Sequence, residues 1–201
     1  MGSIVWSDAD YLTAFSPPKS GRPGQILGRL STITSEFWRA IAPSSQPTAS
    51  DVREALDVLG MSPNTITCCY CGDKYSEWDH LRPMVENRLP TGFVTEIQNL
   101  VPSCGKCNQS KGSQHWKQWM LSSAKNSPAS RKVADIDSRI EYLEKYEQWR
   151  IPTVIDFNTA AGHELWERYL TALKDVKKLL SSADGVAAEI RALVNRTLTT
   201  E

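Results

Sequence analysis

The sequence lacks long hydrophobic runs. None of its apolar stretches approaches the roughly 18 to 20 residues that a membrane-spanning helix needs. Residues 1–6 also lack the charged and apolar regions of a secretory signal. We therefore expect neither a membrane span nor an exported precursor, and we predict a cytoplasmic protein. In that compartment disulfides are rare, and clustered cysteines more often bind metal.

The sequence also lacks a net charge, since 23 Lys and Arg side chains balance 23 Asp and Glu side chains. This balance argues against a chain that coats nucleic acid by bulk electrostatic attraction. The charges are unevenly spread, however, because residues 97–134 contain six basic side chains and no acidic one. Such a stretch is either a solvated loop or a surface that contacts phosphates.

With 201 residues, 40% of them hydrophobic, the chain has the size and composition of one globular domain with additions. We divide it into an N-terminal helical and loop region (1–64), a central cysteine-containing region (65–121) and a C-terminal helical region (122–201). In the first, apolar spacing predicts a helix over 25–41. A short helix over 51–59 follows, with Ser50 as its N-cap and Gly60 as its stop.

The C-terminal region has three apolar stripes at helical spacing. They lie within 136–149, 166–180 and 186–194, and a Ser- and Gly-containing break at 181–185 separates the last two. Such stripes form packing faces, and they are also candidates for a homodimer interface or for the binding of another partner. The predicted fold class is α+β and mainly helical, with helices flanking a small central unit.

Four of the five cysteines form two C-x-x-C pairs, Cys68 with Cys71 and Cys104 with Cys107. Two intervening residues let the chain turn so that both thiolates point at one ion, and tetrahedral Zn²⁺ accepts four such sulfurs. Cys69 is the free bystander, because one residue between it and Cys71 is too few for the same turn. A redox C-x-x-C is the alternative, but it does not require a second pair. We predict a structural Zn²⁺ site.

Polar residues suited to phosphodiester hydrolysis lie between and just after the two pairs: Asp79, His80, Asn99 and Asn108. A carboxylate and an amide oxygen can hold Mg²⁺, which prefers oxygen ligands. A neutral imidazole can take a proton from water near physiological pH. Each residue alone has an ordinary explanation as a cap or turn residue. Their joint spacing between two zinc knuckles favours a catalytic site.

With these residues in place, residues 66–116 resemble the HNH, or ββα-metal, nucleases, specifically the members with a four-cysteine zinc site. The motifs that carry the resemblance are Cys68-x-x-Cys71, Trp78-Asp79-His80, Asn99-Leu100-Val101 and Cys104-x-x-Cys107-Asn108-x-x-Lys111.

The resemblance implies two antiparallel strands and a helix around one catalytic divalent ion. By this resemblance, His80 lies at the end of the first strand and is the general base. Asn99 lies in the intervening loop and fixes the geometry that orients His80. The resemblance makes Asp79 and Asn108 the metal ligands, with Asn108 on the helix. The last motif position is often His in this family, and the Asn found here favours Mg²⁺ or Mn²⁺ over a softer ion.

Three basic residues near these motifs are candidate nucleic-acid contacts: Lys106, Lys111 and Arg82. Lys19 and residues 21–23 are a weaker candidate for a minor-groove contact. We therefore expect a DNA endonuclease of restriction or phage-defence type that acts on double-stranded DNA and leaves 3′-OH and 5′-phosphate ends. The alternatives are a homing or mobile-element nuclease, the nuclease effector of a larger defence system, a non-catalytic zinc module that binds nucleic acid, and a helical adaptor.

Overall fold

The computed structural model describes residues 7–14 and 24–198. The predictions for residues 1–6, Lys19 and residues 21–23 lie outside the described residues. The described helices are α1 (Asp8–Ala14), α2 (Leu30–Ile41), α3 (Ala49–Val58), α4 (Gly105–Lys111), α5 (Trp116–Met120), α6 (Ile136–Trp149), α7 (Phe157–Ala161) and α8 (His163–Leu198). The strands are β1 (Glu77–His80), β2 (Val85–Glu86), β3 (Leu89–Pro90) and β4 (Leu100–Ser103). The mainly helical α+β class is confirmed.

The described residues fall into two compact units. One contains the described residues up to Ile33 together with those from Ala172 onward, and the other is Thr34–Thr171. The division into 1–64, 65–121 and 122–201 follows sequence motifs, and the compact units run across those boundaries. That division stays a prediction.

The centre of the larger unit is a strand pair followed by a helix. β1 and β4 are antiparallel, with Asp79 opposite Val101 and His80 opposite Leu100. Helix α4 begins two residues after β4 ends. A second hairpin, β2 with β3, is inserted between the two paired strands. This order matches the two strands and one helix that the family resemblance implies.

A hydrophobic core surrounds this strand pair. Tyr70 packs edge-on against Trp119 of α5 with 5.2 Å between ring centroids, and both side chains are fully buried. Helix α6 contributes Ile140, Leu143 and Tyr146 to the same cluster. Each fully buried side chain of this size contributes about 1.5–3 kcal/mol through removal of apolar surface from water. The helices after the cysteines therefore support the strand pair.

Helix α3 begins earlier than the sequence predicts. Its N-cap is Thr48, whose hydroxyl accepts a hydrogen bond from the Asp51 backbone N–H at 3.2 Å. The Asp51 carboxylate accepts one from the Thr48 backbone N–H at 2.9 Å. This reciprocal capping box satisfies two free N–H groups at once. The prediction of Ser50 as the N-cap was therefore wrong, whereas Gly60 follows the helix end as expected, at a φ of +66°.

Helix α8 is continuous where the sequence predicted a break. It runs through 181–185 without interruption. The Asp184 carboxylate, on this stretch, accepts hydrogen bonds from the backbone N–H groups of Ile26 at 2.6 Å and Leu27 at 2.8 Å. Serine and a single glycine lower helix propensity by only about 1 kcal/mol or less per residue. This cost is small enough for the helix to continue, so the two predicted stripes belong to one helix.

None of the helices in the described ranges combines the length and the apolar composition required to cross a bilayer.

Tyr146 links α6 to the segment that leads into β4. Its buried hydroxyl donates to the backbone carbonyls of Ile97 and of Leu100, the latter at 2.8 Å. We expect Tyr146→Phe to destabilise the protein by about 1–3 kcal/mol, because it removes the donor from the half-buried Leu100 carbonyl and one of the two donors from the Ile97 carbonyl. That loss corresponds to roughly 2–12 °C in Tm for a chain of this size.

Differential scanning calorimetry measures this change. Tyr142→Phe is the matched control, because Tyr142 lies on the same helix and is 43% exposed. It is expected to leave Tm unchanged. Equal Tm values for Tyr146→Phe and wild type would contradict the role of the Tyr146 hydroxyl.

Candidate functional site

The four cysteines of the two C-x-x-C pairs converge on one point. The sulfurs of Cys68, Cys71, Cys104 and Cys107 all lie within 4.8 Å of one another. The Sγ atoms of Cys71 and Cys104 are 3.8 Å apart. Tetrahedral coordination with Zn–S bonds of about 2.3 Å requires sulfur–sulfur distances of roughly 3.8 Å. The cluster therefore fits a structural Zn²⁺ ion with four thiolate ligands.

Backbone and side-chain contacts shape this cluster. The Cys68 N–H donates to the Asp73 carbonyl and the Gly72 N–H to the Cys68 carbonyl, both at 2.8 Å, which closes the first knuckle. Arg131 donates to the Cys107 sulfur at 3.6 Å and to the Asp73 carboxylate at 2.7 Å. Hydrogen bonds from neighbouring thiols lower the pKa of Cys68, which favours the thiolate that a metal binds.

Cys69 is placed apart from this cluster, as its spacing predicts. It is 3% exposed, and burial raises the pKa of its thiol well above the ordinary value. Its backbone N–H donates to the Pro102 carbonyl at 2.8 Å, which ties the first knuckle to β4. Cys69 is a structural thiol.

Asp79, His80 and Asn108 line the same cavity, whose volume is about 610 Å³. Asp79 and His80 lie at the end of β1, and Asn108 lies one turn into α4, directly after the last cysteine. In the described part of the chain, no hydrogen bond engages the Asn108 side-chain amide. The structure thus brings these three predicted residues together around one space.

The imidazole of His80 is neutral at physiological pH. Burial, together with the charges of Lys111 and Arg39, lowers the pKa of His80 to about 4. Its Nε2 atom lies 2.9 Å from the hydroxyl oxygen of Thr95. Thr95 is itself fixed by backbone hydrogen bonds to Pro43 and Ser45, in the segment after α2. The segment at 43–45, which precedes the cysteine-containing region, therefore helps to fix the position of His80 through Thr95.

Asn99 lies behind the cavity. Its side chain is fully buried, and its Oδ1 accepts from the Arg82 N–H at 2.8 Å while its Nδ2 donates to the Arg82 carbonyl at 3.1 Å. The Leu81 N–H donates to the Asn99 backbone carbonyl at 2.8 Å. Asn99 therefore clamps the two residues that follow His80, and it acts on the histidine through the backbone.

The Asp79 carboxylate is held inside the protein by two partners. Tyr70 donates its hydroxyl at 2.7 Å, and the Lys111 ammonium lies 3.1 Å away. Lys111 also donates to the His80 carbonyl at 2.9 Å. Burial raises the pKa of Asp79, and the Lys111 charge and the Tyr70 hydrogen bond act in the opposite direction. This network connects α4 to the end of β1.

Two of the side chains predicted to contact phosphates bind other groups of the protein instead. The Lys111 side chain is 1% exposed because it pairs with Asp79. Arg82 is directed at α6, where its Nη2 donates to the Glu147 carbonyl at 2.9 Å. The Lys111 ammonium is therefore enclosed by the protein, whereas the Arg82 side chain is still 20% exposed. Lys106 is exposed on α4, as expected.

Sequence reasoning did not single out Tyr70 or Thr95. Tyr70 lies inside the first cysteine knuckle, and a polar aromatic residue at that place was an available signal. Thr95 has no such signal. Its contact with His80 depends on the fold of the chain around residues 43–45 and 93–95.

The buried ion pair between Lys111 and Asp79 leads to a stability prediction. Lys111→Met leaves a buried carboxylate without its cation, which costs about 3–5 kcal/mol. Thermal unfolding should show a Tm roughly 6–20 °C below that of wild type.

Lys106→Met is the matched control, since Lys106 is exposed on the same helix. A surface substitution of this kind changes stability by about 0.5 kcal/mol or less. An equal Tm for Lys111→Met and Lys106→Met would show that the ion pair does not support the fold.

Cys104→Ser should release the structural metal. Binding free energy for such zinc sites is folding free energy, about 10–16 kcal/mol in small zinc modules. Even a loss of about 3 kcal/mol lowers Tm by roughly 6–12 °C. Elemental analysis of zinc per chain, together with Tm, measures both effects.

Cys69→Ala serves as the control and should keep a full complement of zinc. If Cys104→Ser retains wild-type zinc content and Tm, Cys104 is not a ligand.

Comparison with known proteins agrees with this geometry over about a quarter of the chain. A family model described as HNH endonuclease matches residues 68–114. The matched range contains both cysteine pairs, the β1–β4 strand pair and α4. No curated protein and no solved structure matches the chain. The family match supports a nuclease-type function, and residues 68–114 match the HNH endonuclease family around four cysteines positioned to bind a metal ion.

Proposed function

We propose that this protein is a metal-dependent DNA endonuclease that hydrolyses phosphodiester bonds. The observation that supports this proposal most directly is the common cavity lined by Asp79, His80 and Asn108. The cavity lies within the unit that also holds the four-cysteine cluster. A base, a carboxylate and an amide around one space are the groups that this hydrolysis requires.

In this proposal His80 is the general base. Because the pKa of His80 is lowered, its imidazole is neutral at pH 7, and a ring nitrogen is available to accept a proton. His80 takes the proton from the attacking water, and the water oxygen forms the new bond to phosphorus. The P–O3′ bond then breaks, and the departing 3′ oxygen takes a proton from solvent water, which yields 3′-OH and 5′-phosphate ends. Asn99 holds the backbone after His80 in place during these steps.

Asp79 and Asn108 are the proposed holders of the catalytic divalent ion. Carboxylate and amide oxygens are the ligands that Mg²⁺ and Mn²⁺ prefer. The unengaged Asn108 amide faces this cavity, and a carboxylate has lone pairs beyond those used by Tyr70 and Lys111. The donor set therefore fits such an ion, which when bound offsets negative charge on the reacting phosphate.

The proposed substrate is double-stranded DNA, and the proposed role is restriction or phage defence in the cytoplasm. A homing or mobile-element nuclease and the nuclease effector of a larger defence system use the same chemistry. Helix α8 supports a homodimer, because its part from Leu179 onward exposes four apolar side chains by 54–69%: Leu179, Val186, Ile190 and Leu193. Pairing of two copies would supply one active site for each strand. Lys106 is the proposed phosphate contact.

The internal pairing of Asp79 favours one alternative function. A carboxylate already neutralised by Lys111 is also what a non-catalytic zinc module would contain. Such a module would bind nucleic acid without Mg²⁺-dependent cleavage, and substitution of His80 would not change its behaviour.

His80→Ala is expected to reduce the cleavage rate by about 10²- to 10⁴-fold, because general-base catalysis contributes a factor of that size. Cleavage is followed with labelled DNA in Mg²⁺, under conditions where protein exceeds substrate. Zinc content and Tm should equal those of wild type.

His163→Ala is the control, because His163 is exposed at the start of α8. It should cleave at the wild-type rate. A His80→Ala rate within about tenfold of wild type would remove His80 from the role of base.

A further inference from the structure

Two aromatic side chains flank His80 in the cavity. Trp78 and His80 are two residues apart on β1, so their side chains lie on the same face of the strand. Both line the cavity, and both are half-buried. An aromatic side chain thus stands next to the proposed general base, on the side where the substrate must lie.

The second aromatic side chain, Phe93, approaches His80 from another part of the chain. Residues 92–96 alternate between buried and half-buried, so Phe93 and Thr95 share one face. The contact between Thr95 and His80 brings this face against that of β1. Phe93 also lines the cavity, and backbone pairing with Val154 fixes its position.

Among the described residues, Trp78 and Phe93 differ from the other aromatic side chains of the cavity. In the part of the chain that the structure describes, neither ring stacks on another aromatic ring. The other cavity aromatics behave differently, since Trp38 and Phe157 both pack against Trp166. The two rings beside His80 are therefore the cavity aromatics that no other described aromatic ring covers, although Trp78 also packs against the core.

Few positive charges line the cavity, so attraction to phosphates contributes less to binding there than stacking on the aromatic rings does. Arg39 is the one lysine or arginine among the described residues that line it, and its side chain is 75% exposed. Lys111 and Arg82 are engaged inside the protein. A surface that tracks a duplex by its phosphates needs several exposed cations. Aromatic side chains on which a base can stack are typical of sites that hold unpaired bases.

We propose that Trp78 and Phe93 form a binding site for one unpaired nucleobase next to the scissile phosphate. This inference rests on the proposed nuclease function and names its preferred substrate: DNA with an unpaired or extruded nucleotide at the cleavage position. The cavity, at about 610 Å³, has the size of a small-ligand pocket. A base within a duplex reaches such a pocket only after it leaves the stack. DNA in which a base is already unpaired avoids that cost.

The test compares cleavage of three DNAs of one sequence by the full, zinc-loaded chain in Mg²⁺. They are a perfect duplex, the same duplex with a short central loop of unpaired nucleotides, and the single strand. Rates are measured at limiting substrate over a range of protein concentrations. The looped duplex and the single strand should be cut roughly 5- to 160-fold more efficiently than the perfect duplex, which is the range that one stacked base provides.

Two variants test the aromatic site. Phe93→Leu keeps an apolar side chain but removes the ring, and it should lose most of the preference for unpaired DNA. Trp78→Phe keeps a ring and should retain part of the preference. Trp78→Phe is used in place of Trp78→Ala because Trp78 also packs against the core. Tyr142→Ala, an exposed aromatic on α6, is the control and should behave as wild type.

A binding measurement separates this inference from the proposed function. The looped duplex carries 2-aminopurine at the unpaired position. Its fluorescence should be quenched when it binds the His80→Ala variant, but not when it binds the double variant that carries both His80→Ala and Phe93→Leu.

Equal cleavage of looped and perfect duplexes, or an unchanged preference in Phe93→Leu, would overturn the inference while leaving the nuclease function in place. If no DNA is cut, the nuclease function fails, and quenching that depends on Phe93 still supports the site. Absence of quenching overturns it.

Discussion

The rest of the functional unit depends on the convergence of four sulfurs from two distant segments. Cys68 and Cys71 precede β1, and Cys104 and Cys107 flank the start of α4, so one metal site closes a loop that contains both paired strands. The strand pair has only four residues on each side, and so short a sheet has little stability of its own. A site that binds metal only when the knuckles are folded supplies free energy that the small sheet lacks.

The buried ion pair between Lys111 and Asp79 carries this constraint from the metal cluster to the cavity. It joins the end of α4 to the end of β1, and the same ammonium group also holds the His80 carbonyl. Residues outside the matched domain complete the arrangement. The segment after α2 fixes Thr95, and α6 supports the turn before β4 through Tyr146. The segments outside the matched domain therefore position the candidate site residues as well as extending the fold.

Part of this arrangement could be predicted from the sequence, because it depends on the types and spacing of neighbouring residues. The spacing of the cysteines specifies a tetrahedral cluster, and the strand pair and helix follow from the family resemblance. The placement of the lysines was not predictable in the same way. Lys106 and Lys111 both read as surface cations on one helix, and only the tertiary pairing with Asp79 shows that Lys111 is buried. The continuity of α8 was likewise not predictable, because the Ser- and Gly-containing stretch at 181–185 has the local pattern of a break.

The central claim is that Asp79, His80 and Asn108 act together on a phosphodiester through one divalent ion. The most direct measurement is the cleavage of circular single-stranded and supercoiled DNA by zinc-loaded protein, in Mg²⁺ and in buffer without Mg²⁺, for wild type and Asn108→Ala. We predict cleavage by wild type only when Mg²⁺ is present, and little or none by a folded, zinc-loaded Asn108→Ala variant. Cleavage without Mg²⁺, or cleavage by Asn108→Ala at the wild-type rate, would contradict this account.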